Sequence, residues 1–302
     1  MPALTPYIGR FAPSPTGPLH FGSLVSALAS FLDARANHGK WLVRIEDIDP
    51  PREEIGATNA ILQCLEDYQL HWDDSVTYQS QRAHIYNDYL TRLSDLELLY
   101  PCNCTRQHLQ AMGGIYNGHC RAHSVDISQP HALRLKLYDL PKQFHQSLND
   151  ELRFFDLIQG CQTQNLRTQS GDQILKRKDG LFAYQLAVVA DDIEQQISHI
   201  IRGSDLLDVT ARQIFMYHLL GAPIPQFGHV TLATHGSGQK LSKQNKAPAL
   251  KTEDASRNIW HALAFLRQNP PQELCNATTN DLLTWAIAHW QIANIKELSS
   301  PI

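Results

Sequence analysis

The stretch Arg10–Ser23, RFAPSPTGPLHFGS, joins a short half-apolar run, Tyr7 to Ala12, to a segment with apolar residues at Phe21, Leu24, Val25, Leu28, Phe31 and Leu32. The first run reads as a strand and the second as a helix, because its apolar positions recur at helical spacing. The prolines and Gly17 between them make a constrained loop that ends at the helix start. A helix start offers unpaired N–H groups and a positive dipole, the setting in which proteins hold phosphate. His20 sits at that junction with an imidazole N–H suited to a phosphate oxygen, and Gly22 lets a flat ring lie close to backbone. Downstream, Gly39 is the expected helix stop and Trp41–Ile45 is a dense apolar run that predicts a buried strand. Pro50 and Pro51 break the chain before an amphipathic helix carrying Ile61, Leu62, Leu65 and Tyr68. Strand, helix, strand, helix predicts an α/β fold with a Rossmann-like parallel sheet as a nucleotide-binding core.

The pattern changes near Tyr100. From there to about Arg177 the sequence is polar, with short alternating runs such as Ala132–Leu137, which predicts an inserted subdomain of hairpins and turns. The core then resumes with a helix through Tyr184–Asp192, a strand near His199–Arg202, a helix from about Asp205 to Leu220 and a strand at Phe227–Leu232. A glycine-containing loop follows, and then two short helices, one with Ile259, Leu263 and Leu266, the other with Leu282, Leu283, Ala286, Ile287 and Trp290. The expected division is a first half of the core over 1–99 and the insert over 100–178. The second half of the core follows over 179–235, and a loop with a short C-terminal helical segment over 236–302.

With 302 residues, 43% hydrophobic and 19% charged, the chain has the make-up of an ordinary globular protein. Its start lacks the basic and apolar regions of a secretory signal, and no apolar run reaches the ~20 residues of a membrane span, so no membrane contact and a cytoplasmic location are expected. In that compartment the six cysteines are expected to be reduced. A net charge of −4 argues against indiscriminate polyanion binding. It leaves room for local basic surfaces at Lys176–Lys178 and at Lys240, Lys243, Lys246 and Lys251. No long heptad or exposed apolar stretch argues for more than a monomer.

Several further groups carry chemistry. Lys240–Lys243, KLSK, follows a strand and a glycine-rich loop, where lysines would neutralise phosphate charge. Glu46 stands just past the predicted strand end, the place where open α/β sheets bind ligands, and suits an ammonium group. Tyr184 offers a phenolic hydrogen bond, and Arg202 a bidentate partner for a carboxylate. Taken singly, each of these is also what a surface ion pair would supply. Cys102, Cys104 and Cys120 crowd into the insert with Tyr116, His119 and His123 beside them. Three cysteines in a short polar insert suit structural tetrahedral Zn²⁺, with the fourth ligand open among Tyr116, His119 and His123, and buried free thiols as the plainer reading.

Arg10–Gly22 resembles the HIGH signature of class I aminoacyl-tRNA synthetases in the form used by the glutamyl branch, with Ser23 in place of its last histidine. Lys240–Gln244 resembles the KMSKS loop of the same class. The resemblance covers nearly the whole chain. It implies ATP binding by His20, Gly22, Lys240 and Lys243, with His20 and Lys243 catalytic and Mg²⁺ accompanying ATP. It implies L-glutamate binding by Arg10, Ala12, Ser14, Glu46, Tyr184 and Arg202; two arginines at one small pocket fit a dianionic amino acid. In the family, Tyr116 completes a zinc site with Cys102, Cys104 and Cys120. Only about sixty residues follow Lys243, where ordinary members of the branch continue into an anticodon-binding domain. The chain is therefore most similar to the branch's truncated paralogues. That implies tRNA-independent formation of glutamyl-adenylate, then transfer of glutamate to the cyclopentenediol of queuosine in the anticodon stem-loop of tRNA(Asp), with the C-terminal helices as the stem contact. The alternatives are a truncated synthetase that charges a tRNA 3′ end, and an inactive synthetase-like binding module.

Overall fold

The computed structural model describes residues 6–144, 151–232 and 248–295. Strand β1 (Ile8–Phe11) leads through the proline-rich loop into α1 (Phe21–Ala36), and β2 (Lys40–Ile45) returns beside β1. After a turn at Pro50–Arg52 come α2 (Ala57–Asp67) and β3 (Thr77–Tyr78), which pairs parallel with β2. Helix α3 (Ala83–Asp95) then leads to β4 (Leu99–Cys102), α4 (Arg106–Ala111) and β5 (Ala132–Leu135). Next come β6 (Glu151–Asp156), β7 (Gly160–Asn165), the single turn α5 (Leu166–Gln169) and β8 (Gln173–Lys176). The remaining elements are α6 (Tyr184–Glu194), β9 (His199–Gly203), α7 (Leu207–Leu220), β10 (Gln226–Val230), α8 (Ala255–Phe265) and α9 (Thr279–His289).

The parallel sheet has two halves. One runs β1, β2, β3; the other runs β9, β10, β6, with β7 antiparallel at its edge. They meet where the Ser198 N–H donates to the Ile8 carbonyl at 2.9 Å, placing the start of β9 beside β1. Chain order therefore reverses between β1 and β9, and such a switch point opens a crevice at the strands' C-terminal ends. The predicted α/β architecture with a parallel sheet is what the chain adopts. Segment 100–178 does more than build a separate lobe. Its β4, β5 and β8 form an antiparallel sheet, but its β6 lies parallel to β10, with Asp156 opposite Phe227.

Helix α1 is buried along Leu24–Ala34, nearly all round, because the sheet covers one side and α8 and α9 cover the other. Leu28 and Leu32 are wholly buried, each stabilising the fold by about 1.5–3 kcal/mol. Asp33 ties the layers together: it accepts from the Tyr7 hydroxyl and from Trp290 Nε1. The end of α1 departs from expectation. His38, at φ 53°, takes the left-handed conformation that closes the helix. Gly39 is needed for a different reason, since a Cβ there would lie 2.6 Å from Tyr7.

Candidate active site

The crevice at the switch point holds a cavity of about 410 Å³, within the range of small-molecule sites. Arg10, Ala12, Ser14, Glu46, Tyr184 and Arg202 all line it. Arg10 comes from β1, Glu46 follows β2, Tyr184 opens α6 and Arg202 lies on β9. Each stands within one residue of an element's end, so four separate elements fix one small volume. A second hollow of about 190 Å³ adjoins it and shares Ser14, Glu46, Arg52 and Tyr184 as a common wall.

Two buried carboxylates of α6 organise the cationic side. Asp192 accepts Arg10 Nε at 3.2 Å and Nη2 at 3.3 Å, and Arg44 Nη1 at 2.8 Å. Burial opposes its ionisation, but the two guanidinium groups outweigh it and hold Asp192 below the usual carboxylate range. Asp191 accepts Gln79, Arg82 and Tyr86. Glu46 is less well served. Among the described residues the one charged group that donates to it is Arg44, through Nη2 at 3.5 Å, and burial pushes its carboxyl up to about 6 against the pull of Arg44 and Arg10. A guest ammonium beside Glu46 would restore its ionised form.

Arg202 is built differently. Its Nε donates to His229 Nε2 at 3.0 Å, and its Nη2 to Thr210 Oγ1 and Gln213 Oε1, both at 2.8 Å. Among the described residues no carboxylate forms a salt bridge with it, and burial lowers its pKa from the usual arginine value. Its Nη1 is buried without a hydrogen-bond partner among the described residues. A buried unpaired guanidinium nitrogen costs free energy unless a ligand satisfies it, and Arg202 lines the cavity, so an anion bound there would meet a cation with a hydrogen bond still to give.

At the start of α1, His20 caps the helix: its Nδ1 accepts the Ser23 N–H at 3.2 Å, which puts the ring proton on Nε2. His20 also bridges to Ala249, and the Leu250 N–H donates to the Leu19 carbonyl at 2.9 Å. The chain that follows the KLSK segment is thus joined to this loop. Gly22 lies in the first turn. His20 and Gly22 are not among the wall residues of the large cavity. Lys240 and Lys243 lie outside the described residues, as does Lys246. Much of the Lys176–Lys178 cluster is engaged within the chain: Arg177 pairs with Asp49 and Asp179, and Lys178 donates to the Asn103 carbonyl.

Away from the crevice, the sulfurs of Cys102, Cys104 and Cys120 lie within 4.8 Å of one another. Tyr116 is buried with its hydroxyl 3.6 Å from Cys102 Sγ, and the Cys120 N–H donates to that hydroxyl at 2.8 Å. Gly171, at φ 64°, packs so close that a Cβ would sit 2.4 Å from the Tyr116 carbonyl oxygen. Burial opposes ionisation of Cys102, but hydrogen bonds from Arg134 and Tyr116 hold its thiol below the usual range. Burial and the neighbouring thiols push Cys104 up to about 11. Such a crowd of thiols suits a cation that takes thiolate ligands. His119 and His123 stack on each other at the surface with ring centres 4.2 Å apart and are not part of the cluster.

Sequence reasoning assigned no role to Arg44, Asp192, His229, Thr210 or Gln213, which hold the cavity arginines in place. The signal for three of them is a charged or polar residue inside an apolar run: Arg44 in Trp41–Ile45, Asp192 at the end of an apolar helix, His229 in a buried strand. Which partners they meet depends on contacts between distant elements, which one sequence does not display.

The family model for the class I tRNA synthetases (E and Q), catalytic domain, matches residues 8–268. Among curated proteins, the Glutamyl-Q tRNA(Asp) synthetase of Vibrio cholerae is 46% identical over 291 residues, covering 96% of this chain and 92% of that protein. The protein of the same name from Colwellia psychrerythraea is 49% identical, covering 94% and 90%. Among solved structures, the glutamate-tRNA synthetase of Elizabethkingia anophelis superposes with a TM-score of 0.78 at 23% identity, covering 97% of this chain and 67% of that one. At that identity the superposition speaks for the fold alone.

Proposed function

The chain belongs to the class I tRNA synthetases of the glutamyl and glutaminyl type, among the Glutamyl-Q tRNA(Asp) synthetases, and is a ligase; from that premise we propose that it activates L-glutamate with ATP, without needing tRNA, and transfers the glutamate to queuosine of tRNA(Asp). The observation that carries the amino-acid assignment is the cavity itself, where Arg10, Arg202 and Glu46 converge and Arg202 Nη1 has no partner. The wall carries three arginines, Arg10, Arg52 and Arg202, and two carboxylates, Glu46 and Asp205; of these, Arg10, Arg202 and Glu46 suit an amino acid with two carboxylates and one ammonium. Glutamine would leave one of the cations facing a neutral amide.

In this reading Glu46 takes the ammonium group, and Arg10 and Arg202 take carboxylates, with Ala12, Ser14 and Tyr184 completing the wall. ATP lies over the His20–Gly22 turn, where the His20 Nε2–H and the first N–H groups of α1 meet phosphate oxygens. Lys240 and Lys243 screen the developing pyrophosphate charge together with Mg²⁺. The glutamate α-carboxylate attacks the α-phosphorus, the bond to pyrophosphate breaks, and glutamyl-adenylate forms. A queuosine hydroxyl then attacks the adenylate's carbonyl carbon, releasing AMP and a proton. No protein nucleophile is needed, because the mixed anhydride is already a good acyl donor; positioning and charge stabilisation do the catalysis.

Cys102, Cys104, Cys120 and Tyr116 would hold a structural zinc ion, three thiolates and a phenolate giving the four ligands of a tetrahedral site. Helices α8 and α9 would carry the contact to the RNA stem. In this account the core takes 1–99 and 179–235 and the insert 100–178, except that β6 and β7 of the insert join the core sheet and the boundary at 235 lies outside the described residues. A cytoplasmic location is part of the same proposal, and no helix among the described residues is long and apolar enough to cross a membrane.

The test is ATP–pyrophosphate exchange without tRNA. Exchange driven by glutamate and not by glutamine is expected; no exchange with either would refute the proposal.

A further inference from the structure

Behind Arg202, on the side away from the cavity, lies a buried pair that the activity above does not call on. Asp156 ends β6 and His229 lies on β10; neither exposes any surface. His229 Nδ1 meets Asp156 Oδ2 at 2.5 Å, and its Nε2 receives Arg202 Nε–H at 3.0 Å. Asp156 Oδ1 accepts three backbone N–H groups, from Ile158, Gln159 and His229, at 2.8–3.0 Å. A carboxylate so well supplied with donors can only accept from the imidazole, so the His229 proton sits on Nδ1. That leaves a lone pair on Nε2, directed at Arg202.

We propose that Asp156 and His229 are positioning residues for glutamate recognition: Asp156 fixes the imidazole tautomer that accepts from Arg202, and so aims Arg202 Nη1 into the amino-acid cavity. This rests on the reading of that cavity as the glutamate site.

The geometry assigns each nitrogen of the guanidinium a separate task. Nε is taken by His229 and Nη2 by Thr210 and Gln213, while Nη1 is buried with no hydrogen-bond partner among the described residues. A planar guanidinium held at two of its nitrogens has no rotational freedom left at the third. The other tautomer would point an N–H at Arg202 Nε–H, two donors facing each other, and its nearest acceptor would be Thr210 Oγ1 at 3.0 Å, which already accepts Arg202 Nη2. The arrangement also explains why β6, from a segment otherwise spent on the antiparallel sheet and turns, is built into the parallel sheet beside β10. It delivers the one carboxylate that meets the imidazole.

Asp156→Asn tests the proposal sharply. The asparagine oxygen can keep the three backbone bonds, while its amide donates to Nδ1 and forces the proton to Nε2. Read by glutamate-driven ATP–pyrophosphate exchange, the KM for glutamate should rise about 10- to 100-fold, the cost of setting a buried donor against a donor. The KM for ATP should not move, and kcat should change far less than the glutamate KM. His229→Gln supplies a carbonyl acceptor for Arg202 and has no tautomer to lose. In that background, adding Asp156→Asn should change the glutamate KM by less than about threefold. A purely structural role would predict a loss spread over kcat and both KM values, and equal in the two backgrounds. That result overturns the proposal, as does an unchanged glutamate KM in Asp156→Asn. Should Asp156→Asn not fold, His229→Asn keeps the donor to Asp156 but removes the acceptor for Arg202. It must then raise the glutamate KM by the same factor, and an unchanged KM overturns the proposal. Failure of the wild-type protein to exchange with glutamate would instead overturn the assignment of the cavity.

Discussion

Replacing Arg202 by glutamine removes a charge from the cavity while keeping an amide that can bond within the same cradle. Nη1 is the guanidinium nitrogen without a hydrogen-bond partner among the described residues, so its bond to a substrate carboxylate is new on binding and charge-assisted. Such a bond contributes about 1.5–3 kcal/mol, and leaving a buried carboxylate opposite a neutral group moves the loss toward about 3–5 kcal/mol. At about 1.4 kcal/mol per factor of ten, the glutamate KM in ATP–pyrophosphate exchange should rise about 100- to 1,000-fold at saturating ATP. The fold should tolerate the change. Arg202 bonds His229, Thr210, Gln213 and the Leu206 carbonyl, and no carboxylate is left behind without its cation. A melting temperature within about 4 °C of wild type is therefore expected. A glutamate KM altered by less than about threefold would refute the role given to Arg202. So would an equal rise in the KM for ATP.

Three other outcomes are expected. Since burial raises the Glu46 carboxyl to about 6, it is ionised above that pH and protonated below it. Glutamate affinity should hold steady from about pH 7 upward and fall by up to about tenfold per unit below 6; titration calorimetry giving a flat profile from 5 to 7 would contradict the ammonium assignment. Cys120→Ala should lose about one zinc per chain by elemental analysis and lower the melting temperature, whereas wild-type protein purified free of zinc at full stability would rule out a structural metal. Lys243→Ala should reduce exchange by about two orders of magnitude with glutamate binding retained, the signature of a group that acts on developing phosphate charge; unchanged exchange would remove Lys243 from the mechanism.

Much of the site was legible because its residues announce themselves locally. The Arg10–Ser23 loop places His20 at a helix start by its breakers and by the apolar spacing that follows. Arg10, Glu46, Tyr184 and Arg202 each stand at or just beyond the end of a predicted strand or helix, so a parallel sheet was enough to bring them to one crevice. What the sequence could not display was the support behind them. Asp156 lay in a segment that reads as an insert, and only the pairing of β6 with β10 brings it to His229. Arg44 reads as one polar interruption in an apolar strand, yet it shares Asp192 with Arg10 across elements far apart in the chain. Gly39 shows the same limit in small: its place after α1 suggested a stop, while the close approach of Tyr7 is the constraint it meets. The cysteines lay between these cases. Their spacing suggested a metal site, but it could not display that the Tyr116 hydroxyl lies buried beside Cys102 while His119 and His123 stack on each other at the surface.

The central claim is that glutamate activated in this cavity goes to a modified base in an anticodon. The most direct measurement is transfer of radiolabelled glutamate to two preparations of tRNA(Asp), identical except that one carries queuosine and the other guanosine at the wobble position. The account predicts acid-precipitable label on the queuosine-containing RNA alone, surviving removal of its 3′ end. Label that appears equally on both preparations, or that leaves with the 3′ end, would contradict it.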